Sequence, residues 1–384
     1  AGCASVEQTH RMATSFNLQE ATIASVQEAI ATRQLTCVQL TRMYLERIAA
    51  YDRQGPTLRA IITVNPKAME QAAEMDRQYW ANPASRPPLH CIPLILKDNF
   101  DTFDMPTTGG NVSMKSSVPL TDAFTVARMR KAGALILAKA NLQEFARGGM
   151  SFSSLGGQVR NPYDLTRTAG GSSGGTGAAI AANFALLGTG SDTGQSIRSP
   201  ASANSLVGIR PTRGLVSRGG VIPNSLTQDE IGPIARTVTD AALLLDVMAG
   251  YDPADPVTAL GHGRKPQSYT HRLAKDALRG ARIGVMTNLQ GTQERHREVN
   301  RVMAKVADAF ESLGATIVRF EIAEYGTLAN AVATSRLEAR TVMEKYFATL
   351  GTQAPIRSFQ ELVKANRSAV QKTLADELSV ADGM

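Results

Sequence analysis

Residues 167–200 read RTAGGSSGGTGAAIAANFALLGTGSDTGQSIRSP, and this stretch decides how the 384-residue chain is interpreted. A flexible linker is one interpretation, but the glycines run directly into a small apolar segment, residues 177–182, that is typical of a packed helix. A phosphate-binding loop is another, since glycine-rich turns before helices bind anions through backbone N–H groups. The stretch lacks the Lys-Ser/Thr pair that such a loop needs after its last glycine, because Gly175 is followed by Thr176 and Gly177. It also lacks the acidic residue at the end of the next strand that would bind the ribose of a dinucleotide.

A third interpretation is nucleophilic catalysis by a serine. Such a serine needs a nearby base and groups that stabilise an oxyanion. Residues 192–196, DTGQS, predict a tight turn whose consecutive N–H groups can stabilise a developing negative charge, and Ser196 ends this turn. The histidines are not in a serine or acid context, and we expect them to be structural or on the surface: His10, His90, His262, His271 and His296.

Lysine is the alternative base if burial lowers its pKa. Lys97 is the candidate, because it follows the apolar run 92–96 at the end of a predicted strand. A lysine there is either desolvated enough to be neutral or extends its amine to the surface. The sequence context alone leaves both alternatives open.

Predicted strands and helices alternate on both sides of this stretch. A capping box at Thr36 and Gln39 predicts the start of a helix. Further predicted strands are residues 134–138, 282–286 and 316–320, and further predicted helices are residues 125–131 and 299–313. The alternation predicts an α/β fold with a mixed, mostly buried central sheet covered by helices on both faces. One domain over residues 1–384 fits this pattern better than two.

Composition excludes several classes of protein. The formal net charge is +7, but the basic residues are scattered among acidic ones and only 5% of residues are aromatic, which argues against a nucleic-acid partner. No apolar run reaches membrane-spanning length, so we expect no transmembrane segment.

The three cysteines show neither metal-ligand spacing nor an even count. We therefore expect no metal and interpret Cys37 and Cys91 as buried thiols. Cys3 follows Ala1 and Gly2, as at a bacterial lipoprotein cleavage site, so an exported, lipid-anchored protein and a cytoplasmic one both remain open.

Motifs along the chain occur in a fixed order. The main ones are PLILKDN at residues 93–99, GGSSGG at 170–175 and GSDTGQSIRSPA at 190–201. Others are NLQEFA at 141–146, NPY at 161–163, GIRPT at 208–212 and GPIAR at 232–236. In this order, and with 24 residues from Ser172 to Ser196, they resemble the amidase signature family, whose nucleophile turn is usually GTDxGGSIRxPA.

The resemblance implies the amidase signature fold and a hydrolase of linear carboxylic amides other than peptide bonds. The substrate would be a small-molecule amide, and no cofactor is implied. Ser196 is expected to attack the carbonyl, Ser172, at the family's cis-serine position, to relay the proton, and Lys97 to act as the neutral base. The expected oxyanion hole consists of the N–H groups of Thr193, Gly194, Gln195 and Ser196. By the same resemblance, four residues are expected to support the site or line the pocket: Ser173, Gly148, Gly149 and Met150.

The chain departs from the family pattern at Gln195, where the family has glycine, and at Ser191, where it has threonine, a change expected to be harmless. Family members usually continue beyond the point that matches Met384, so we expect the C-terminal part of the family domain to be missing. We expect residues 1–15 to be disordered or processed, and a homodimer is compatible with the sequence.

The alternative functions are an amidase-like subunit of a tRNA amidotransferase and a catalytically silent binding protein on the same fold. A nucleotide-binding protein is a third.

Overall fold

The computed structural model describes residues 16–264 and 266–365. The expectations for residues 1–15, including the lipid-anchored start at Cys3, lie outside these residues. The strands are β1 (Ile61–Val64), β2 (Ile92–Lys97), β3 (Ala134–Ala140), β4 (Phe152–Ser153), β5 (Gly157–Gln158), β6 (Leu187–Asp192), β7 (Val207–Gly208), β8 (Glu230–Ala235), β9 (Arg282–Met286) and β10 (Thr316–Phe320).

The helices follow the predicted alternation with the strands. They are α1 (Ile23–Ala31), α2 (Cys37–Tyr51), α3 (Ala68–Ala81), α4 (Phe124–Lys131), α5 (Gly174–Ala181), α6 (Arg198–Ala203), α7 (Val238–Met248), α8 (Arg297–Ser312), α9 (Tyr325–Ala331), α10 (Ser335–Phe347) and α11 (Phe359–Ala365). The capping box before α2 forms as predicted, because the Thr36 hydroxyl accepts from the Gln39 N–H and the Gln39 side chain accepts from the Thr36 N–H.

Six strands form one central sheet in the order β1-β3-β2-β6-β8-β7. β2 runs parallel to both β3 and β6, whereas the other neighbouring pairs are antiparallel. Every residue of β2, β3, β6 and β8 is buried. Strands that are buried along their whole length are covered on both faces, so the structure confirms the predicted α/β fold with a mixed, buried sheet.

Residues 282–320 form a second, smaller unit of regular structure. β9 and β10 pair in parallel, and α8 connects them and packs against β10. All three elements lie at or within a few residues of the predicted positions. The prediction of one domain over the whole chain stays a prediction.

Helix α5 begins earlier than its apolar sequence suggests. It starts at Gly174, inside the GGSSGG motif, and Gly175 lies so close to β3 that a Cβ there would overlap the Asn141 carbonyl group. Glycine is therefore required for close packing at this point. Ser172 and Ser173, just before α5, contact Lys97 at the end of β2 and Ser191 in β6.

The structure corrects the interpretation of two cysteines. Cys37, at the start of α2, and Cys91, just before β2, are joined as a disulfide with their Cα atoms 5.5 Å apart. They are 54 residues apart in sequence. Such a pairing depends on tertiary structure, so spacing alone could not show it.

Candidate active site

The candidate residues lie where β2 and β6 end. Lys97 is the last residue of β2, and β6 runs parallel beside it and ends at Asp192. Ser172 precedes the start of α5, and Ser196 lies in the loop between β6 and α6. The peptide bond between Gly171 and Ser172 is cis. The carboxyl ends of parallel strands thus bring three distant segments together, as open α/β sheets commonly do at binding sites.

Lys97 is fully buried, and its amine contacts the oxygen atoms of two serines. Its Nζ lies 2.7 Å from Ser172 Oγ, 2.8 Å from Ser191 Oγ and 3.3 Å from the Ser191 carbonyl oxygen. Asn99 Nδ2 donates to Ser191 Oγ over 3.0 Å. Of the two alternatives for Lys97, the structure therefore shows the buried one.

Burial lowers the pKa of Lys97 to about 7, and the more distant negative charges of Asp192 and Asp229 only partly oppose this shift. A large fraction of this amine is therefore neutral at neutral pH. The Ser191 carbonyl oxygen can only accept, so it receives one of the N–H groups. A neutral amine keeps a lone pair that can accept the hydroxyl proton of Ser172.

Asp192 holds the turn before Ser196. Its carboxylate accepts from the Ile197 N–H at 3.0 Å and from Arg198 Nε at 3.2 Å, and Arg210 lies 3.4 Å away. Burial tends to raise the pKa of Asp192, but the hydrogen bonds from Arg198 and Ile197 outweigh it and lower the pKa. Asp192 therefore stays ionised and anchors the turn through the ion pair with Arg198.

A second carboxylate fixes the other side of this turn. Thr193 Oγ1 donates to Asp229 Oδ1 at 2.6 Å, and Asn224 Nδ2 donates to Thr193 Oγ1 at 3.2 Å. The second Asp229 oxygen accepts from the N–H groups of Asn224 and Ser225. Asp229 is buried, so its contacts hold Thr193 in one position.

Serine side chains link the remaining loops. Ser173 N donates to the Ser196 carbonyl oxygen at 3.3 Å, and Ser173 Oγ donates to the Ser191 carbonyl oxygen at 3.4 Å. Ser151 Oγ donates to the Gly170 carbonyl oxygen at 2.7 Å and accepts from Gly174 N at 2.9 Å. These bonds join the loop around residue 150 to the Ser172 loop and the Ser196 turn.

The expected pocket residues lie at the edge of this arrangement. Gly149 packs against Gly171, next to Ser172, and Met150 is 59% exposed. Gly194 and Gln195 are exposed, whereas Ser196 is buried.

Sequence reasoning missed several contacts. The sequence predicts that Ser191 is a harmless replacement, but its hydroxyl and its carbonyl group both contact Lys97. Asn99 is part of the lysine motif, and that position was the available signal for its role. Asp229 gave no signal, because it reaches the site from a distant segment.

One group of side chains among the described residues could hold a metal ion: Cys37, His90 and Cys91. It lies before β2, whereas Lys97 ends that strand, so roughly 20 Å separate the two places. As a disulfide the two sulfur atoms are not thiolate ligands.

Comparison with known proteins decides the family. The model of the family described as Amidase matches residues 39–381. This chain belongs to the amidase signature family. A probable amidase of Arabidopsis thaliana is 36% identical over 375 residues, covering 96% of this chain and 72% of the plant protein. A glutamyl-tRNA(Gln) amidotransferase subunit of Geobacter sp. (strain M21) is 39% identical, covering 82% of this chain and 65% of the bacterial protein.

Solved structures of amidase signature enzymes show the same fold. The peptide amidase of Stenotrophomonas maltophilia superposes with a TM-score of 0.86 at 40% identity, over 93% of this chain and 75% of that one. The glutamyl-tRNA(Gln) amidotransferase subunit of Thermotoga maritima gives a TM-score of 0.72 at 28% identity, over 96% of this chain and 73% of that one. The chain is thus an amidase-type hydrolase of carbon–nitrogen bonds, and it spans roughly two thirds to three quarters of these relatives' length. No helix among the described residues is long and apolar enough to cross a membrane.

Proposed function

We propose that this amidase cleaves its substrate through an acyl-enzyme on Ser196, with Ser172 and Lys97 as the proton relay. The observation that carries the proposal is the buried amine of Lys97 at 2.7 Å from Ser172 Oγ, with a pKa of about 7. A serine relay needs a base that is neutral at working pH, and burial without a carboxylate partner provides one.

The proposed reaction has two halves. In the first, Ser196 Oγ bonds to the amide carbon while its proton passes to Ser172 and the Ser172 proton passes to Lys97. The carbon–nitrogen bond then breaks, and the nitrogen takes the proton back through Ser172 and leaves as ammonia or an amine. In the second half, water attacks the acyl group by the same proton route, which releases the carboxylic acid and restores Ser196.

The N–H groups of residues 193–196 are the proposed oxyanion hole. Their rigidity supports this role, because the Asp192 and Asp229 carboxylates hold the turn from two sides. Donors that are already in place need no reorganisation as the charge develops. The side chain of Gln195 leaves its backbone N–H available for this purpose.

The proposed substrate is a small carboxamide whose acyl group lies against Gly148, Gly149 and Met150. The peptide amidase at 40% identity supports a peptide-like acyl group, and the exposed apolar side chain of Met150 supports an apolar one.

Intact mass after treatment with a fluorophosphonate probe tests the proposal, with ammonia release from N-acetyl-L-phenylalaninamide as the activity assay. Wild type and the control Ser202→Ala, whose serine is exposed on α6, should each take one adduct. Ser196→Ala should take none and lose activity by a factor on the order of 10⁶. An adduct on folded Ser196→Ala, or none on folded wild type, would contradict the proposal.

A second candidate is one component of a tRNA amidotransferase, which the bacterial amidotransferase subunits at 37–39% identity favour. It predicts that purified chain alone releases no ammonia, whereas the leading proposal predicts release without partner proteins. The homodimer stays a prediction for sedimentation analysis, and the relatives give no support to the exported start at Cys3.

A further inference from the structure

Gln195 is the residue in the Ser196 turn that sets this chain apart from the usual family pattern. It lies immediately before Ser196, and its side chain crosses to the loop of Gly148 and Gly149. A Cβ on Gly149 would lie 2.6 Å from Gln195 Nε2. The side-chain amide therefore rests on the Gly149 backbone.

Gly149 in turn packs on the reaction centre. A Cβ on Gly171 would lie 2.9 Å from the Gly149 carbonyl oxygen, and Gly171 precedes Ser172. Gly149 itself does not have a left-handed backbone conformation, so the glycine provides room rather than an unusual φ. The Gln195 amide, Gly149 and Gly171 thus form one wall beside Ser172 and Ser196.

The Gln195 amide has free hydrogen-bonding capacity at this wall. The residue is exposed, and among residues 16–264 and 266–365 no hydrogen bond to its side chain is present. Beside it, a Cβ on Gly194 would meet nothing within 4 Å, so open space lies in front of the turn. A primary amide offers two N–H donors and one C=O acceptor and carries no charge. Its complement is a group with one acceptor and one donor, such as a peptide unit.

We propose that Gln195 is a specificity-determining residue that hydrogen-bonds an acylamino group next to the scissile carboxamide. This inference rests on the proposed function and narrows its substrate class to N-acylated amino-acid amides and peptide amides. With a simple amide that has no acylamino group, the Gln195 side-chain amide would hydrogen-bond water instead of the substrate.

Reversible aldehydes test this inference without requiring turnover. N-acetyl-L-phenylalaninal and 3-phenylpropanal share the phenyl group and the reacting carbonyl, and only the first carries the acylamino group. Each is scored by the concentration that halves the rate of fluorophosphonate labelling of Ser196. Because the two aldehydes differ in intrinsic reactivity, the measured quantity is the ratio of their potencies in each variant relative to wild type.

Gln195→Leu keeps the length of the side chain and removes its donors and acceptor, so the preference for the acylamino aldehyde should fall about 3- to 10-fold. Gly149→Ala displaces the Gln195 amide without altering it and should lower the preference in the same direction. Gln78→Leu, on the surface of α3, is the matched control and should keep the wild-type ratio.

Wild-type ratios in both Gln195→Leu and Gln195→Ala would overturn the inference. So would an equal gain in potency of both aldehydes in Gln195→Ala, because that result would show that the side chain only fills space. A folded wild-type chain that takes no label contradicts the proposed function itself, and this inference falls with it. If wild type is labelled but the Gln195 variants keep the wild-type preference for the acylamino aldehyde, the result contradicts this inference alone and leaves the proposed function intact.

Discussion

Two lysines are fully buried next to each other in the central sheet, and their surroundings differ. Lys97 ends β2, and Lys139 lies in β3, paired with Leu96. Lys139 Nζ lies 3.2 Å from Asp98 Oδ1 and also donates to Thr107 Oγ1 at 2.8 Å. In contrast, Lys97 Nζ contacts hydroxyl and carbonyl oxygens within the described part of the chain and no carboxylate.

The comparison teaches that the partner determines the role of a buried amine. Burial lowers the pKa of both lysines, but at Lys139 the adjacent Asp98 charge opposes the shift and favours an ion pair. Such a pair ties β2 and β3 together. At Lys97 the opposing charges are not in contact, so the amine is available for proton transfer. We expect Lys139 to contribute to stability and Lys97 to chemistry.

The largest expected effect is on activity at Lys97. Lys97→Met removes the proposed base while filling a similar volume, so kcat/KM should fall by about 10²- to 10⁴-fold. At pH 7 the stability should not fall, because no charged partner is left behind and the buried amine is no longer desolvated. Ammonia release and urea unfolding measure the two quantities. If Lys97→Met retained activity within a few-fold of wild type, Lys97 would not be the base, and the proposed difference in role between the two lysines would be wrong.

The next effect is on stability at Lys139. Lys139→Met leaves Asp98 as an unpaired buried carboxylate, so the free energy of unfolding should fall by about 3–5 kcal/mol. The double variant Lys139→Met/Asp98→Asn removes both charges and should recover part of that loss. Urea unfolding measures both variants. A single variant as stable as the double one would show that the charge pairing is not the cause.

A smaller effect is the contribution of Lys97 to the pH dependence of the free energy of unfolding. Its folded pKa is about 7 and its unfolded pKa about 10.4, so above pH 7 the unfolded chain binds more protons than the folded one. Between pH 7 and 9, wild type should therefore gain about 1.4 kcal/mol of stability per pH unit relative to Lys97→Met. The difference should be constant below pH 7. Equal slopes in both proteins from pH 7 to 9 would mean that Lys97 has an ordinary pKa.

The smallest effect concerns the orientation of the Lys97 amine. Ser191→Ala removes a hydroxyl that contacts both Lys97 and Asn99, so kcat should fall about tenfold with little change in KM. Ser191→Thr retains the hydroxyl and should restore the rate. An unchanged kcat in Ser191→Ala, or a kcat in Ser191→Thr as low as in Ser191→Ala, would show that the Ser191 hydroxyl does not orient the Lys97 amine.

The sequence predicted the parts of the site that lie within continuous motifs. The apolar run before Lys97 predicts the strand that ends there, and the structure has this strand as β2. That prediction succeeds because a short apolar run is a local signal. The position of Ser172 beside Lys97 was implied only by the family resemblance, because the two residues are 75 apart in sequence.

Contacts between distant segments could not be predicted in this way. Asp98 and Lys139 are 41 residues apart, and Thr193 and Asp229 are 36 apart, so only the folded sheet brings them together. The same holds for the disulfide between Cys37 and Cys91. Ser191 was missed for another reason: replacing Thr by Ser keeps the hydroxyl, and the sequence did not show what that hydroxyl contacts.

The pH dependence of Ser196 labelling by an uncharged fluorophosphonate tests the central claim most directly. In wild type the labelling rate should rise about tenfold per pH unit below pH 7 and level off above it, because Lys97 must lose its proton to act as the base. In Lys97→Met the rate should be low and show no inflection near pH 7. The same inflection in both proteins would contradict the claim that a neutral, buried Lys97 activates Ser196.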